Sequence, residues 1–293
     1  MIQNFLRYLN HEKRYSVHTL TAYEEDLNQF HSFLSETYEI SDPVEVRHSH
    51  LRSWVVELME TGLSPRSVNR KIAALKSYFK FLCARQYLDK NPATRLKPLK
   101  TDKKLPSFVK ENEMTLLLDQ LKFEEDFFGM RDKLMIELFY ATGIRLSEMI
   151  GLKESDFNTY DQSIKVLGKR NKERIIPVPD SIVYTIKNYQ SLKQDMWGAN
   201  QSPYLILTDQ GEQLYPMMVY RTIKKYLSQV TTLSKKSPHV LRHTYATHLL
   251  DKGADLNAVK DLLGHTSLAA TQVYTHNSME KLKSVFDQAH PKA

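Results

Sequence analysis

The chain has 293 residues, and its content of 41% hydrophobic and 26% charged residues is typical of a globular protein and argues against wholesale disorder. A single cysteine excludes an internal disulfide, and no apolar run approaches the length of a membrane span, so we expect a cytoplasmic protein without membrane contact. The net charge of +7 favours a polyanionic partner.

Residues 1–98 are predicted to form a helical domain, because apolar residues recur there at intervals of three and four positions. Ser16 is predicted to cap the second helix, and Ser64 followed by Pro65 to begin the fourth. Opposite its apolar side, the fourth helix carries a basic face formed by Arg66, Arg70, Lys76 and Lys80. We interpret this face as a surface that binds a phosphate backbone; a solvated charged face without a partner is the alternative.

Positive charge is concentrated between residues 64 and 104, where twelve Lys or Arg stand against two acids. Part of this excess falls in residues 99–110, which are predicted to be an interdomain linker because Pro98 and Pro106 prevent a continuous helix. The lysines of this linker are expected to contact a polyanion themselves: Lys100, Lys103 and Lys104. Such a local excess of cations is typical of nucleic-acid binders.

Residues 111–293 are predicted to form a second, largely helical domain. The exception is the stretch 163–178, in which two short runs rich in β-branched residues flank a turn that contains Gly168 and Asn171, a signal for a β-hairpin. The helical pattern resumes after Pro179 and continues through Gln288. The predicted fold class is therefore mainly α, with a small antiparallel β-sheet in the second domain.

Candidate chemical groups lie in the second domain. Arg145 comes directly after a predicted apolar helix, and a guanidinium there can bind two phosphate oxygens. His239 and Arg242 are three positions apart in a predicted helix that Ser237 is expected to cap, so they share one face. The free N–H groups at the start of such a helix also suit an anion.

Two further candidates follow near the end of the chain. His265 ends the sequence Leu-Leu-Gly-His, and Tyr274 lies nine residues further on. Taken alone, the histidine could meet helix carbonyls and the tyrosine could pack in a core. Together with the arginines they suit metal-free cleavage of a phosphodiester, because cations stabilise the charge of the transition state and tyrosine can take the phosphate as an ester.

A metal site is the alternative use of the histidines. His239, His243 and His248 have a spacing that metal sites use. No acidic residue lies between them and the chain has one cysteine, so we expect no metal, and we expect His243 and His248 to be structural or surface residues.

The order and spacing of these pieces resemble the tyrosine recombinases, particularly the bacterial Xer-type site-specific recombinases. The motifs that carry the resemblance are Ala-Thr-Gly-Ile-Arg-Leu-Ser-Glu, Gly-Lys-Arg-Asn-Lys-Glu-Arg, Ser-Pro-His-Val-Leu-Arg-His, Leu-Leu-Gly-His-Thr-Ser-Leu and Thr-Gln-Val-Tyr-Thr-His. The resemblance covers nearly the whole chain, including the segment from Ser16 to Leu27. One departure is Arg170, which stands where the hairpin of the family usually has a second glycine.

The resemblance implies that Tyr274 is the nucleophile. Arg145 and Arg242 match the phosphate clamp of the family, and Lys169 matches the hairpin lysine, which protonates the leaving 5′ oxygen. The two family histidines match His239 and His265. The resemblance also implies a SAM-like, DNA-binding first domain and a two-domain C-shaped clamp on double-stranded DNA.

The reaction implied by the resemblance passes through a 3′-phosphotyrosyl enzyme and needs neither metal, ATP nor another cofactor. The expected assembly on two DNA sites is a tetramer of this chain or of this chain with a second related recombinase, and a DNA-translocating motor is left open as an activator. Resolution of chromosome or replicon dimers is the leading role. The integrase of a mobile element, a type IB topoisomerase and a DNA-binding protein without catalysis are the alternatives.

Overall fold

The computed structural model describes residues 1–102, 107–168, 173–198 and 202–264. The chain divides into two compact units, Met1–Lys104 and Leu105–Ala293, and each unit has its own hydrophobic core. Both units are mainly helical, and the second also contains a small antiparallel sheet, so the predicted fold class is confirmed.

The first unit is a helical domain packed around aromatic side chains. Its helices are α1 (Ile2–His11), α2 (Val17–Tyr38), α3 (His48–Glu60) and α4 (Pro65–Ala84), with a 3-10 turn at Pro43–Glu45. The ring of Phe30 lies 4.9 Å from that of Trp54 and 6.4 Å from that of Phe79, so one side chain joins α2, α3 and α4. The side chains of Ser16 and Ser64 accept hydrogen bonds from backbone N–H groups in the first turns of α2 and α4, which confirms both predicted N-caps.

The segment that follows α4 folds back onto that helix. The side chain of Asn69 accepts a hydrogen bond from the Leu99 N–H at 2.7 Å and donates one to the Leu99 carbonyl at 2.9 Å. The Leu99 side chain packs against the core of the first unit. Leu99 is the first residue of the predicted linker, and it is therefore held by the first unit, with Lys100 directly after it.

The second unit consists of short and long helices around a three-stranded sheet. Its helices are α5 (Glu111–Thr115), α6 (Phe127–Thr142), α7 (Leu146–Gly151), α8 (Asp180–Trp197), α9 (Pro216–Val230), α10 (Pro238–Asp251) and α11 (Leu256–Leu263). A π-helical turn at Leu116–Gln120 extends α5, and a 3-10 turn at Glu154–Asp156 follows α7. Helix α10 begins at Pro238 with Ser237 at the N-cap position, as predicted, but the Ser237 side chain makes no capping hydrogen bond.

The sheet contains the predicted hairpin. Its strands are β1 (Phe157–Asn158), β2 (Ser163–Leu167) and β3 (Glu173–Pro177), arranged in the order β1-β2-β3 with antiparallel pairing. Ile164 is paired with Ile176, and Val166 with Arg174. Because side chains alternate across a strand, all four of these residues lie on one face of the sheet, and all four are buried.

Gly143, the glycine that ends helix α6, packs closely against α10. Gly143 has a φ of +57°, in the left-handed region that glycine adopts without strain. A Cβ at this position would lie 2.9 Å from Cδ2 of Leu263 and closer still to the ring of the fully buried Tyr245. The close approach fixes where the chain leaves α6, and Arg145 follows two residues later.

Gly143→Ala is expected to lower the free energy of unfolding of the second unit by about 2–5 kcal/mol, because left-handed strain of about 1–2 kcal/mol adds to overpacking of about 1–3 kcal/mol. Gly253→Ala is the control, since Gly253 also has a positive φ, +86°, but no atom within 4 Å of the added Cβ. Denaturant unfolding of the two variants would measure the difference. An equal loss of unfolding free energy in Gly143→Ala and Gly253→Ala would contradict the packing argument.

Candidate active site

Arg145 is placed by the start of α7. It precedes the first helical residue, and its backbone N–H donates to Oε2 of Glu148 at 2.7 Å. Its guanidinium donates through Nη1 to Oε1 of Glu148 at 2.7 Å, so the two residues are joined twice. About a third of the Arg145 side chain is exposed, which leaves part of the guanidinium open to a ligand.

Glu148 is buried between two arginines. Arg174, on the inward face of β3, donates through Nη1 and Nη2 to both carboxylate oxygens of Glu148 at 2.8 Å. Burial alone raises the pKa of Glu148, but the hydrogen bonds and charge of Arg174, followed by the hydrogen bonds of Arg145, lower the pKa from 4.5 to about 2. Glu148 is therefore an anion throughout the neutral range.

Arg242 reaches the same place from α10. Its Nη1 donates to the Gly143 carbonyl and its Nη2 donates to the Leu263 carbonyl, the latter at 2.6 Å. Burial, and then the positive charge of Arg145, lower the pKa of Arg242 from 12.5 to about 10, so it remains a cation at neutral pH. The structure thus brings Arg145 and Arg242 together, although 97 positions separate them in the sequence.

The end of α11 is held by three arginines. The carbonyls of Leu262, Leu263 and Gly264 accept hydrogen bonds from Arg174 Nε, Arg242 Nη2 and Arg145 Nη2, respectively, at 2.9, 2.6 and 2.8 Å. We call Arg145, Arg174, Arg242 and Glu148 the arginine cluster. Its three cations and one carboxylate leave an excess of two positive charges, which suits the doubly negative phosphorane of phosphodiester cleavage.

His239 is exposed near the start of α10, one turn before Arg242. His243 lies one turn after His239 and is half-buried. Burial, and then the charge of the neighbouring His239, lower the pKa of His243. His248 is buried, and its Nδ1 lies 3.0 Å from the hydroxyl oxygen of Tyr140. The imidazole of His239 is therefore open to a ligand, whereas that of His248 is part of the core.

Several predicted site residues lie outside the described residues. They are Lys169, His265 and Tyr274 of the predicted catalytic set, and Lys103 and Lys104 of the predicted linker. Their roles stay predictions. The described chain reaches Gly264, the residue directly before His265, and the arginine cluster holds it there.

The predicted DNA-binding face of α4 is only partly composed of open cations. Arg66 and Lys80 are exposed, and Lys76 is partly buried. Arg70 forms a two-point ion pair with Asp26, which is 2% exposed at its side chain and also accepts from the buried Lys71 at 2.8 Å. Arg70 is thus held by α2, while half of its side chain remains exposed.

A second basic surface, in the second unit, is absent from the sequence predictions. Residues 213–250 contain six Lys or Arg and no Asp or Glu. On α9 and in the segment before α10, the exposed cations of this stretch are Arg221, Lys224, Lys225 and Lys235. The absence of acids over 38 residues is a signal that a count of local charge would have found.

Glu148 and Arg174 were likewise missed, although the sequence contains signals for both. Glu148 lies three positions after Arg145, the spacing of a capping box at a helix start. Arg174 occupies a strand position two before Ile176, so alternation places it on the buried face. A charged residue at a core position of a strand indicates a buried partner.

Within the described ranges, no group of three or more His, Cys, Asp or Glu side chains could hold a metal ion. None of the helices in the described part of the chain is both long enough and apolar enough to cross a membrane.

The excess positive charge of the arginine cluster suits a protein that acts on phosphodiesters. Residues 107–281 match the model of the Phage integrase family, and residues 2–86 match that of the phage integrase N-terminal SAM-like domain. The tyrosine recombinase XerC of Chlorobaculum tepidum is 35% identical over 99% of this chain and 94% of its own length. That of Listeria welshimeri is 37% identical over 99% of this chain and 97% of its own length.

Solved structures share the fold. XerH site-specific recombinase bound to palindromic difH substrate matches 97% of this chain and 83% of its own with a TM-score of 0.73 and 20% identity. The Tn1549 transposon integrase in complex with circular intermediate DNA matches 96% of this chain and 97% of its own with a TM-score of 0.69 and 20% identity. The chain belongs to the phage integrase family, as an enzyme of the Xer-type tyrosine recombinases, which confirms the resemblance seen in the sequence.

Lys80→Ala is expected to weaken DNA binding and to reduce the slope of log affinity against log salt by about 1, without changing the unfolding of the first unit, because Lys80 is exposed. Arg70→Ala is the matched comparison. It should also lower the free energy of unfolding by about 1–2 kcal/mol, since buried Asp26 loses a charged donor. Salt titrations and denaturant unfolding would separate the two; unchanged DNA affinity of Lys80→Ala at low salt would contradict the predicted face.

Glu148→Gln is expected to lower the free energy of unfolding by about 3 kcal/mol at pH 7, because the folded pKa of about 2 lies well below the ordinary 4.5. A carboxyl whose pKa is lower in the folded than in the unfolded chain stabilises the fold at pH values above the unfolded pKa. The difference in free energy of unfolding between wild type and Glu148→Gln should therefore shrink as pH falls from 4.5 towards 2. Glu173→Gln is the control, since its side chain is 59% exposed. A difference independent of pH would count against the ion pairs as its cause.

Proposed function

We propose that this recombinase cuts and rejoins double-stranded DNA at a specific site by attack of Tyr274 on the scissile phosphate, with a 3′-phosphotyrosyl ester as the intermediate. The arginine cluster is the observation that supports this reaction best. The cluster has an excess of two positive charges and binds the carbonyl of Gly264, the residue directly before His265. The family match extends through Tyr274 to residue 281. Phosphoryl transfer needs such charge where the transition state forms.

The remaining roles follow from chemistry and from the family. Arg145 and Arg242 are assigned to the nonbridging oxygens, and His265 is assigned to assist them; only two of the five N–H donors of Arg242 bind carbonyls. A tyrosine hydroxyl has an ordinary pKa of about 10, so it needs a base, and His239, exposed one turn before Arg242, is the candidate. Lys169 protonates the 5′ oxygen as it leaves. A 5′ hydroxyl of the partner duplex then attacks the ester, which conserves the bond energy and requires no ATP.

DNA binding is proposed to use both basic surfaces. The exposed cations of α4, with Lys100 after it, would contact the backbone from the first unit, and those of α9 and the following segment would do so from the second. Contacts with phosphate set the position of the protein on the duplex, and contacts with base edges select the site. The structures named above are bound to difH substrate or to circular intermediate DNA, which supports a DNA substrate for this chain.

The assembly and the biological role are part of the same proposal. We expect four protomers on two sites, either all of this chain or shared with a second related recombinase, and a DNA-translocating motor as a candidate activator. Resolution of chromosome or replicon dimers is the proposed role, supported by full-length relatives named XerC. The integrase of a mobile element has the same chemistry and differs in the target site.

Covalent trapping tests the proposed nucleophile. Duplexes would first be selected from fragmented host DNA for binding, then nicked near the bound site so that cleavage cannot be reversed. We expect wild type to form a protein–DNA adduct that survives denaturant, and Tyr274→Phe to form none while binding with unchanged affinity, because phenylalanine has no oxygen to attack.

Tyr160→Phe is the matched control, because the Tyr160 side chain is 95% exposed on the same unit. It should form adduct at the wild-type rate. An adduct in Tyr274→Phe would exclude Tyr274 as the nucleophile, and relaxation of supercoiled plasmid lacking any selected site would favour a topoisomerase instead.

A further inference from the structure

We propose that Arg174 is a positioning residue for DNA cleavage, which holds Arg145 in its phosphate-binding orientation through Glu148. The inference rests on the function proposed above and deepens it. The structural basis is a chain of contacts that runs from β3 through the Glu148 carboxylate to the start of α7, where Arg145 lies.

Arg174 is held inside the protein and is assigned a positioning role. Its side chain is 4% exposed, and each of its three guanidinium nitrogens donates to a protein acceptor. Nη1 and Nη2 bind Glu148, and Nε binds the Leu262 carbonyl. Arg174 therefore connects β3 with α7 and with the end of α11.

Glu148 transmits the position of Arg174 to Arg145. A carboxylate can accept about four hydrogen bonds, and Glu148 receives two from Arg174 and two from Arg145. The fork of Arg174 therefore fixes the plane of the carboxylate, and that plane, together with the Gly264 carbonyl, sets the direction in which Arg145 points. Without the fork, Glu148 could rotate towards Arg145 alone.

Arg174 also sets the charge that Arg145 presents. With Arg174 in place, the negative charge of Glu148 is shared between two guanidinium groups. Removal of Arg174 would leave Glu148 as the partner of Arg145 alone and would halve the excess positive charge of the cluster. Lysine at position 174 separates the two effects, because it keeps the charge and loses the fork and the Nε donor.

The test measures single-turnover adduct formation on a nicked duplex by wild type, Arg174→Lys and Arg145→Lys. We expect Arg174→Lys to bind DNA within about 2-fold of wild type and to cleave about 100-fold more slowly, the loss typical of a group displaced by about 1 Å. Arg145→Lys should cleave about 100- to 1,000-fold more slowly. Cleavage by Arg174→Lys at the wild-type rate would overturn the proposal.

A methylphosphonate at the scissile position distinguishes positioning from general damage to the fold. A methyl group there replaces one nonbridging oxygen, so the diester is neutral and needs less help from a cation. The deficit of Arg174→Lys relative to wild type should fall below about 10-fold on this substrate, as that of Arg145→Lys should. An equal deficit on both substrates would show a merely structural role for Arg174.

Arg131→Lys is the matched control for the loss of a buried arginine. Arg131 is 5% exposed and binds Asp132 through Nε and Nη2, but it lies on α6 outside the arginine cluster. The Arg131→Lys variant should cleave both substrates at the wild-type rate. If Arg174→Lys fails to fold, Glu148→Asp provides the second test, because it keeps the charge and shortens the link; we expect the same recovery on the methylphosphonate.

The double variant tests whether Arg174 acts through Arg145. If it does, adding Arg174→Lys to Arg145→Lys should slow cleavage by less than about 3-fold further, whereas independent roles would multiply the two losses. Multiplied losses would overturn the proposal. Absence of any wild-type adduct on a bound site would instead contradict the proposed function, so the two failures are distinguishable.

Discussion

The Glu148 carboxylate allows guanidinium groups of like charge to lie side by side in a buried place. Arg174 binds both of its oxygens, and Arg145 binds it through a guanidinium and a backbone N–H. Replacing a buried ion pair by apolar groups is often neutral or stabilising, so stability does not explain why such a group is kept. What the carboxylate provides is a fixed arrangement of cations, which apolar groups could not supply.

The other acceptors of the arginine cluster are carbonyls, which has an electrostatic consequence. The C-terminal end of α11 offers partial negative charge without a full anion, and each of its last carbonyls binds a different arginine. Had carboxylates taken these places, the cations would have been neutralised. Because carbonyls hold them, the donors are oriented while an excess of two positive charges remains for a phosphate.

Local features of the chain were predictable from sequence, and long-range pairings were not. The two N-caps of the first unit and the hairpin follow from nearby residues, and they are confirmed. The meeting of Arg145 with Arg242 required the resemblance to a family, since spacing alone does not bring α7 to α10. The pairing of Arg70 with Asp26 depends on how α4 packs on α2, which helical periodicity cannot show.

The charge balance of the ion clusters differs from one arginine to another in the described parts of the chain. The ion pairs of Arg131 on α6 leave no excess of positive charge, because Arg131 faces two carboxylates, those of Asp132 and the half-exposed Asp209. The arginine cluster has two cations in excess. The cluster beneath the basic face of α4 has one, since Asp26 faces both Lys71 and Arg70. An ion cluster without excess positive charge does not attract a further anion, whereas a cationic one can attract a phosphate. Arg70 therefore still adds one positive charge to the predicted DNA surface even though α2 holds its guanidinium.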